Sequence, residues 1–337
     1  MRRWLAAPEA RLAVITVAIF AAMALLAPDR FLSVQNVTSM AFQFPEFAIL
    51  ALAMTITMLT GGIDLSVVGI ANLSAIVAAL ILTRLAGGAT GTEALLWLLL
   101  AMAVAIAIGL LAGLFNGLAV AAFGLPPILA TLGSGLIFTG VAIALTGGSA
   151  VMGFPAVAAW LGNSTIAGVP TPLLLFALLA CGLAFLLGRT AFGLRVQMFG
   201  ANPLAARYAA VDVVRLLVRV YAISGMFAAV AGLVVMSRAN SAKADYGSSY
   251  LLLAVLIAVL GGVNPYGGYG RVIGVVLAVL SMQFLSSGLN MLGVSNFARE
   301  LIWGALLLLV MVVNAGAWPR RRVRPRTPAI PARTESP

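Results

Sequence analysis

Of the 337 residues 63 % are hydrophobic and only 9 % charged, with a formal net charge of +11, whereas a soluble domain has roughly a quarter of its residues charged. The composition therefore excludes a soluble protein and defines a polytopic membrane protein. One cysteine, Cys181, excludes a disulfide framework, and with no histidine at all the usual zinc sites, nucleophilic triads and proton relays lose their commonest member.

Ten apolar segments follow in chain order, at about 12–27, 40–60, 63–83, 94–122, 126–146, 171–188, 214–236, 249–262, 270–289 and 297–315. A span needs about 20 apolar residues, so the pattern predicts an all-α fold of about ten transmembrane helices, some broken or re-entrant. The domain reading is an N-terminus over 1–11, a transmembrane domain over 12–317 and a basic, disordered tail over 318–337. The first segment follows Arg2, Arg3 and Arg11 like a signal peptide, but Pro28-Asp29-Arg30 is no small-residue cleavage site, so a retained span is expected.

Between the second and third segments lies Thr60-Gly61-Gly62-Ile63-Asp64-Leu65-Ser66. An ionised Asp at bilayer depth costs several kcal/mol unless it faces water or a partner, and broken backbone survives there only inside protein or along a watery cavity. Two readings of Asp64 stand side by side: a cap on the following helix, or a charge on a solute path. The segment 189–215 is the longest loop on its side. In it Asn202 occupies an N-cap position with Pro203 at N1 and helix formers after it, and Asp212 is placed to cap the next membrane helix. This short helix, with Ala205, Ala206 and Tyr208, is read either as a docking element or as a surface helix on its own subunit. The eighth segment is too short to cross comfortably and runs into Gly261-Gly262. Polar residues inside spans, namely Asn72, Ser74, Asn116, Thr131, Ser134, Gln283, Ser286, Ser287 and Asn290, either line a path or act as interhelical hydrogen-bond glue.

With ten spans, fifteen cations fall on the side of both termini and five on the other; the bias toward positive cytoplasmic loops puts both termini in the cytoplasm. The Arg320–Arg326 cluster is read as an anchor beside anionic lipid, with no nucleic-acid partner.

Thr60-Gly-Gly-Ile-Asp-Leu-Ser resembles the signature of the permease subunits of bacterial ATP-binding-cassette (ABC) importers for simple sugars, of the ribose, xylose, rhamnose and autoinducer-2 type, a group related to the branched-chain amino acid permeases. Three further blocks match in order: Asn116-Gly117 followed by Pro126-Pro127-Ile128-Leu129-Ala130-Thr131-Leu132-Gly133; Gly200-x-Asn202-x-x-Ala205-Ala206; and Gly261-Gly262 with Gly267-Gly268-x-Gly270. Val68 precedes Gly69 where the family often has Gly at once, and Ala210-Val211 replace its usual Gly-Ile. The resemblance, over about 31–313, implies a bacterial inner-membrane permease that binds no nucleotide or other cofactor. ATPase subunits carrying ATP and Mg would dock on a coupling helix (Gly200, Asn202, Ala205, Ala206, Tyr208, Asp212), and a periplasmic binding protein would deliver the solute. A second permease, identical or related, would help enclose the path. Candidate path residues are Asp64, Ser66, Asn72, Asn116, Thr131, Gln283 and Asn290, with Gly61, Gly62, Gly261 and Gly262 breaking helices. The rivals are an ion-coupled secondary transporter and a membrane-bound enzyme. Against the first, only Glu46 and Asp64 are plausible ionisable groups within spans, neither with an obvious basic partner. Against the second, Glu93, Asp245 and Glu300 are well separated.

Overall fold

A computed structural model describes residues 8–317. The tail after Ala317, with its arginine cluster, and Arg2 and Arg3 lie outside the described residues. The fold is all-α, and each of the ten apolar segments contains a helix. In chain order the helices are α1 (Pro8–Leu26), α2 (Pro28–Phe31), α3 (Val34–Met58), α4 (Val67–Leu80), α5 (Gly91–Ala121), α6 (Pro127–Thr146) and α7 (Trp160–Asn163). They continue with α8 (Thr171–Arg189), α9 (Ala191–Ala201), α10 (Pro203–Tyr208), α11 (Val213–Ala239), α12 (Tyr250–Leu260), α13 (Val272–Met291) and α14 (Asn296–Ala317). Two-residue strands β1 (Val151–Met152) and β4 (Ser241–Ala242) pair antiparallel, as do β2 (Thr165–Ile166) and β3 (Val169–Pro170). Among the described residues eight helices are long and apolar enough to cross a membrane. At eleven residues α12 rises about 16 Å, half of a hydrocarbon core about 30 Å thick. After it the chain turns at Gly262 (φ +82°) and continues as an ordered loop to Arg271.

Long helices α3 and α11 form the centre, with 83 % of each apolar window buried against 17 % for α1 and α6. Close approach of α5 to α11 rests on a run of glycines at four-residue spacing. A Cβ on Gly109, Gly113 or Gly117 would lie 2.4 Å from the Gly225 carbonyl, 2.2 Å from the Tyr221 carbonyl or 2.6 Å from the Val218 Cα. Small residues four apart let membrane helices touch backbone to backbone. Gly113→Ala is therefore expected to destabilise the protein by about 1–3 kcal/mol, the usual scale of overpacking, read as a lower melting temperature in detergent. Gly133→Ala on α6, whose added methyl would meet nothing within 4 Å, is expected to leave that temperature unchanged.

Contacts between loops define two ends of the bundle. At one, Gly268 N–H donates to the Leu59 carbonyl (2.9 Å) and Arg271 pairs with Glu9 (3.1 Å). This end also carries the loop between α8 and α11. At the other, β1 pairs with β4, and Gly162 N–H donates to Ser237 Oγ (2.7 Å).

The loop expected to hold one short helix holds two. Thr190 Oγ1 accepts from Gly193 N–H at the start of α9, and Asn202 Oδ1 accepts from Leu204 and Ala205 N–H (3.1 and 3.0 Å) at the start of α10. Ala210 (φ +56°) ends that turn, and Asp212 caps α11 through Arg215 N–H (3.0 Å). Apolar periodicity too short to register hid α9, an eleven-residue helix carrying Arg195 and Gln197.

Candidate functional site

Chain reversal between α3 and α4 sets the centre of the site. Gly61 adopts φ +80°, and a Cβ on Gly62 would lie 2.5 Å from the Tyr221 hydroxyl, so the first glycine is needed for its dihedral and the second for its lack of a side chain. The turn carries Asp64 into the protein, where it is fully buried. Its Oδ1 accepts from Ser66 N–H (3.0 Å) and Ser66 Oγ–H (2.5 Å), and its Oδ2 accepts from Ser224 Oγ–H on α11 (2.8 Å). Asn116 on α5 donates through Nδ2 to Ser66 Oγ (2.7 Å). Thr131 on α6 accepts from Leu65 N–H (3.0 Å) and lies 3.1 Å from the Ile63 carbonyl. The cluster thus bonds the turn to α5, α6 and α11 at once, and three hydroxyl or amide donors take the place of a counter-ion. Among the described residues Asn116 Oδ1 is left without a partner; the remaining bonds hold the elements that supply them in one arrangement.

Four sequence candidates, Asp64, Ser66, Asn116 and Thr131, therefore meet in one place, but each is fully buried and none lines a cavity described below. The helix-capping reading of Asp64 is also refined. Asp64 accepts the Ser66 backbone two residues on, as in an Asx turn, and its second oxygen reaches across to α11. Ser224 was missed because nothing near it in sequence points to residue 64.

A cavity of about 430 Å³ opens between α4, α6 and the loop after α11, lined by Gly69, Asn72, Thr139, Lys243, Asp245 and Ser248 among others. It reaches Leu65, next to Asp64. Asn72 lines it while donating through Nδ2 to the Ala244 and Tyr246 carbonyls (2.8 and 2.9 Å), which holds the loop over the helix. Lys243 and Asp245 pair across 2.9 Å at its mouth, and this hydrogen bond raises the Lys243 pKa, so the ammonium stays charged. Gln283 lines a different cavity, and Asn290 is exposed near the end of α13.

At the end that carries α9 and α10, three backbone segments converge without side chains between them. A Cβ on Gly200 would lie 1.9 Å from the Leu59 carbonyl and 2.4 Å from Gly268 N, and one on Gly267 would lie 2.7 Å from Gly61 N. The α9–α10 junction is thereby fastened to the turn that leads into Asp64. Beside it a cavity of about 640 Å³ is lined by Gly200, Ala201, Asn264, Tyr266, Gly267 and Tyr269, among others. Helix α10 buries Ala206 and leaves Leu204 and Tyr208 61 % and 85 % exposed. Ala205 is exposed as well. The Gly261–Gly262 break serves packing: a Cβ on Gly261 would lie 2.7 Å from the Val275 Cα, and Gly274 meets the same turn from α13.

One sequence expectation is corrected. Glu46 does have a basic partner: Arg238 binds it through both Nε and Nη2, and the Tyr250 hydroxyl donates to its Oε2 (3.0 Å). The partners are 192 residues apart in sequence. A bidentate Arg pair satisfies a buried carboxylate, so Glu46 is a paired group that fastens α3 to α11 and α12.

These features define a polytopic helical membrane protein with a buried polar turn between two ends. Residues 36–311 match the model of the family described as "Branched-chain amino acid transport system / permease component", and the chain belongs to that family. It is similar to the autoinducer 2 import system permease protein LsrD of Klebsiella pneumoniae subsp. pneumoniae, 36 % identical over 82 % of each chain. It is also similar to LsrD of Enterobacter sp., 35 % identical over 82 % of this chain and 83 % of the relative, and of Yersinia enterocolitica, 34 % identical over 85 % and 86 %. No solved structure matches. The chain is a membrane permease component, a transport subunit.

Proposed function

We propose that the chain forms the path of an ABC importer for a small hydroxylated, sugar-like solute of the kind its relatives' name indicates. ATP is hydrolysed on partner subunits, and a periplasmic binding protein feeds the path. The observation that carries this reading is the exposed α10, fastened backbone to backbone through Gly200 to Leu59 and Gly268. A push on α10 at one end reaches the turn that holds Asp64. This end also carries Arg189, Arg195, Arg207, Arg215, Arg219 and Arg271, and the bias of arginine toward inner loops supports assigning it, and both termini, to the cytoplasm.

In this reading the 430 Å³ cavity beside Asn72 and Thr139 is the outer part of the path. A second permease, identical or related, closes it across α6, whose Leu129, Leu136 and Ile137 are 65 %, 68 % and 56 % exposed. Asp64, Ser66, Asn116 and Thr131 act as the buried hinge below the path, and Gly61 and Gly62 give that hinge its geometry.

Ala205→Glu tests the docking reading. Ala205 is exposed, so the new charge meets water in the lone chain and meets a desolvated, unpaired position only under a docked subunit, where burial costs several kcal/mol. The expected result is normal membrane insertion with at least a tenfold loss of co-purified ATPase. Undiminished co-purification would reduce α10 to a surface helix.

A further inference from the structure

At the end opposite α10, a second cavity of about 260 Å³ lies among α3, α11, α12, α13 and α14, and its wall is polar. Gln43, Arg238, Gln283, Ser286, Arg299 and Glu300 line it with Trp303. The Glu46–Arg238–Tyr250 group closes one wall and is satisfied within itself. The rest is not. Trp303 is 91 % buried, since 9 % of it is exposed, yet among the described residues its indole N–H has no hydrogen-bond partner, and neither has the Arg299 Nε–H. Arg299 Nη1 donates to Ser286 Oγ (3.3 Å), its one side-chain hydrogen bond among the described residues. Gln283, 4 % exposed, makes no side-chain hydrogen bond to a described residue.

Among the described residues, neither Arg299 nor Glu300 is in a salt bridge. Buried donors left unpaired are costly, and nearly all such groups in proteins have a partner. Here two N–H donors and an amide remain around one cavity, with one uncompensated cation and one uncompensated anion at its edge. That set complements a zwitterion: an anionic oxygen group for Arg299 and Trp303, and an ammonium for Glu300.

The position narrows the ligand. Arg299 and Trp303 lie in the first two turns of α14, about 5–10 Å along the helix from its start, the depth at which Trp and Arg meet headgroups. The same helix turns Phe297, Leu301 and Leu308, which are 86 %, 75 % and 67 % exposed, toward the surroundings, an apolar strip along which acyl chains can lie.

We propose that this cavity is a binding site for the phosphoethanolamine headgroup of a membrane lipid, with the phosphate on Arg299 and Trp303 and the ammonium on Glu300. It is distinct from the cavity beside Asn72, and the proposal does not depend on which solute is carried.

The test uses the full chain, delipidated in detergent. It is titrated with dihexanoyl phosphatidylethanolamine, dihexanoyl phosphatidylglycerol and free O-phosphoethanolamine, with binding followed by native mass spectrometry and by thermal shift. Phosphatidylethanolamine is expected to bind, and Arg299→Gln to weaken it about tenfold, the loss of one charge-assisted contact. Glu300→Gln should weaken phosphatidylethanolamine about as much while sparing phosphatidylglycerol, because only the former carries an ammonium. Trp303→Phe, which keeps the ring and removes the N–H, covers the case in which a charge variant fails to fold, and should weaken both lipids. Free O-phosphoethanolamine binding as tightly as the lipid would assign the site to a soluble zwitterion and overturn the lipid reading. Equal affinity for both lipids in Glu300→Gln and the native chain, or binding indifferent to Arg299→Gln and Trp303→Phe, would overturn the site itself.

Discussion

Glu46→Ala is expected to destabilise the protein by about 3–5 kcal/mol, the scale on which removing one partner of a buried ion pair acts, and to lower its level in the membrane sharply. The Glu46 side chain is 2 % exposed and that of Arg238 33 %, so the orphaned guanidinium keeps some access to water and the lower half of that range applies. Truncation also removes the acceptor of the Tyr250 hydroxyl on α12. Three elements, α3, α11 and α12, lose a shared fastening where α12 is too short to hold itself across the bilayer. Glu46→Gln keeps the shape and one acceptor, and should fall between the two. The check is thermal unfolding of the purified chain in one detergent. A melting temperature within 2–4 °C of the native value, about the effect of 1 kcal/mol in a large domain, would show that the pair is dispensable.

Asp64→Ala is expected to act on assembly and transport together. The change strips the acceptor from Ser66 N–H, Ser66 Oγ–H and Ser224 Oγ–H at a fully buried position, and each buried donor left unpaired costs about 1–3 kcal/mol. Asp64→Asn separates charge from shape. Its single carbonyl oxygen can keep the Ser66 contacts while its amide faces Ser224, whose hydroxyl can turn to the Val220 carbonyl one helical turn back. The asparagine variant is therefore expected to lose about 1–2 kcal/mol and to keep measurable transport, whereas the alanine variant should lose it. Membrane level and uptake are measured for both. Wild-type stability in Asp64→Ala would contradict the hinge account; abolished uptake in a stable Asp64→Asn would show that the charge itself drives switching.

Much of the fold was legible because a bilayer leaves few solutions for a chain of this composition. The ten apolar runs each hold a helix, and Asn202 and Asp212 cap the helices they precede because capping is a local matter of one side chain and the next three residues. The family resemblance rested on four blocks in order, and the family match covers residues 36–311. What stayed illegible depends on long-range packing. Nothing in sequence joins Glu46 to Arg238 or Asp64 to Ser224, and burial at Asn116 and Thr131 is set by how α5 and α6 lean on the turn. The Gly109, Gly113, Gly117 spacing was a readable sign of that packing, since its period marks one face of α5. Thr139 gave no sign: a threonine amid an apolar helix is unremarkable until the cavity beside it is seen.

The claim that the cavity between α4 and α6 is the outer part of the path is tested by the accessibility of one cysteine. In a Cys181→Ser background, Thr139→Cys is introduced and the permease assembled with its ATPase subunits in sealed vesicles. A membrane-impermeant thiol reagent is applied from the side opposite α10. Labelling is timed with no nucleotide and again after trapping the ATPase with vanadate. An alternately opened path predicts that the two rates differ by about tenfold or more, the size of a coupling of about 1.4 kcal/mol. Equal rates in the two states, with the ATPase bound and active, would contradict it.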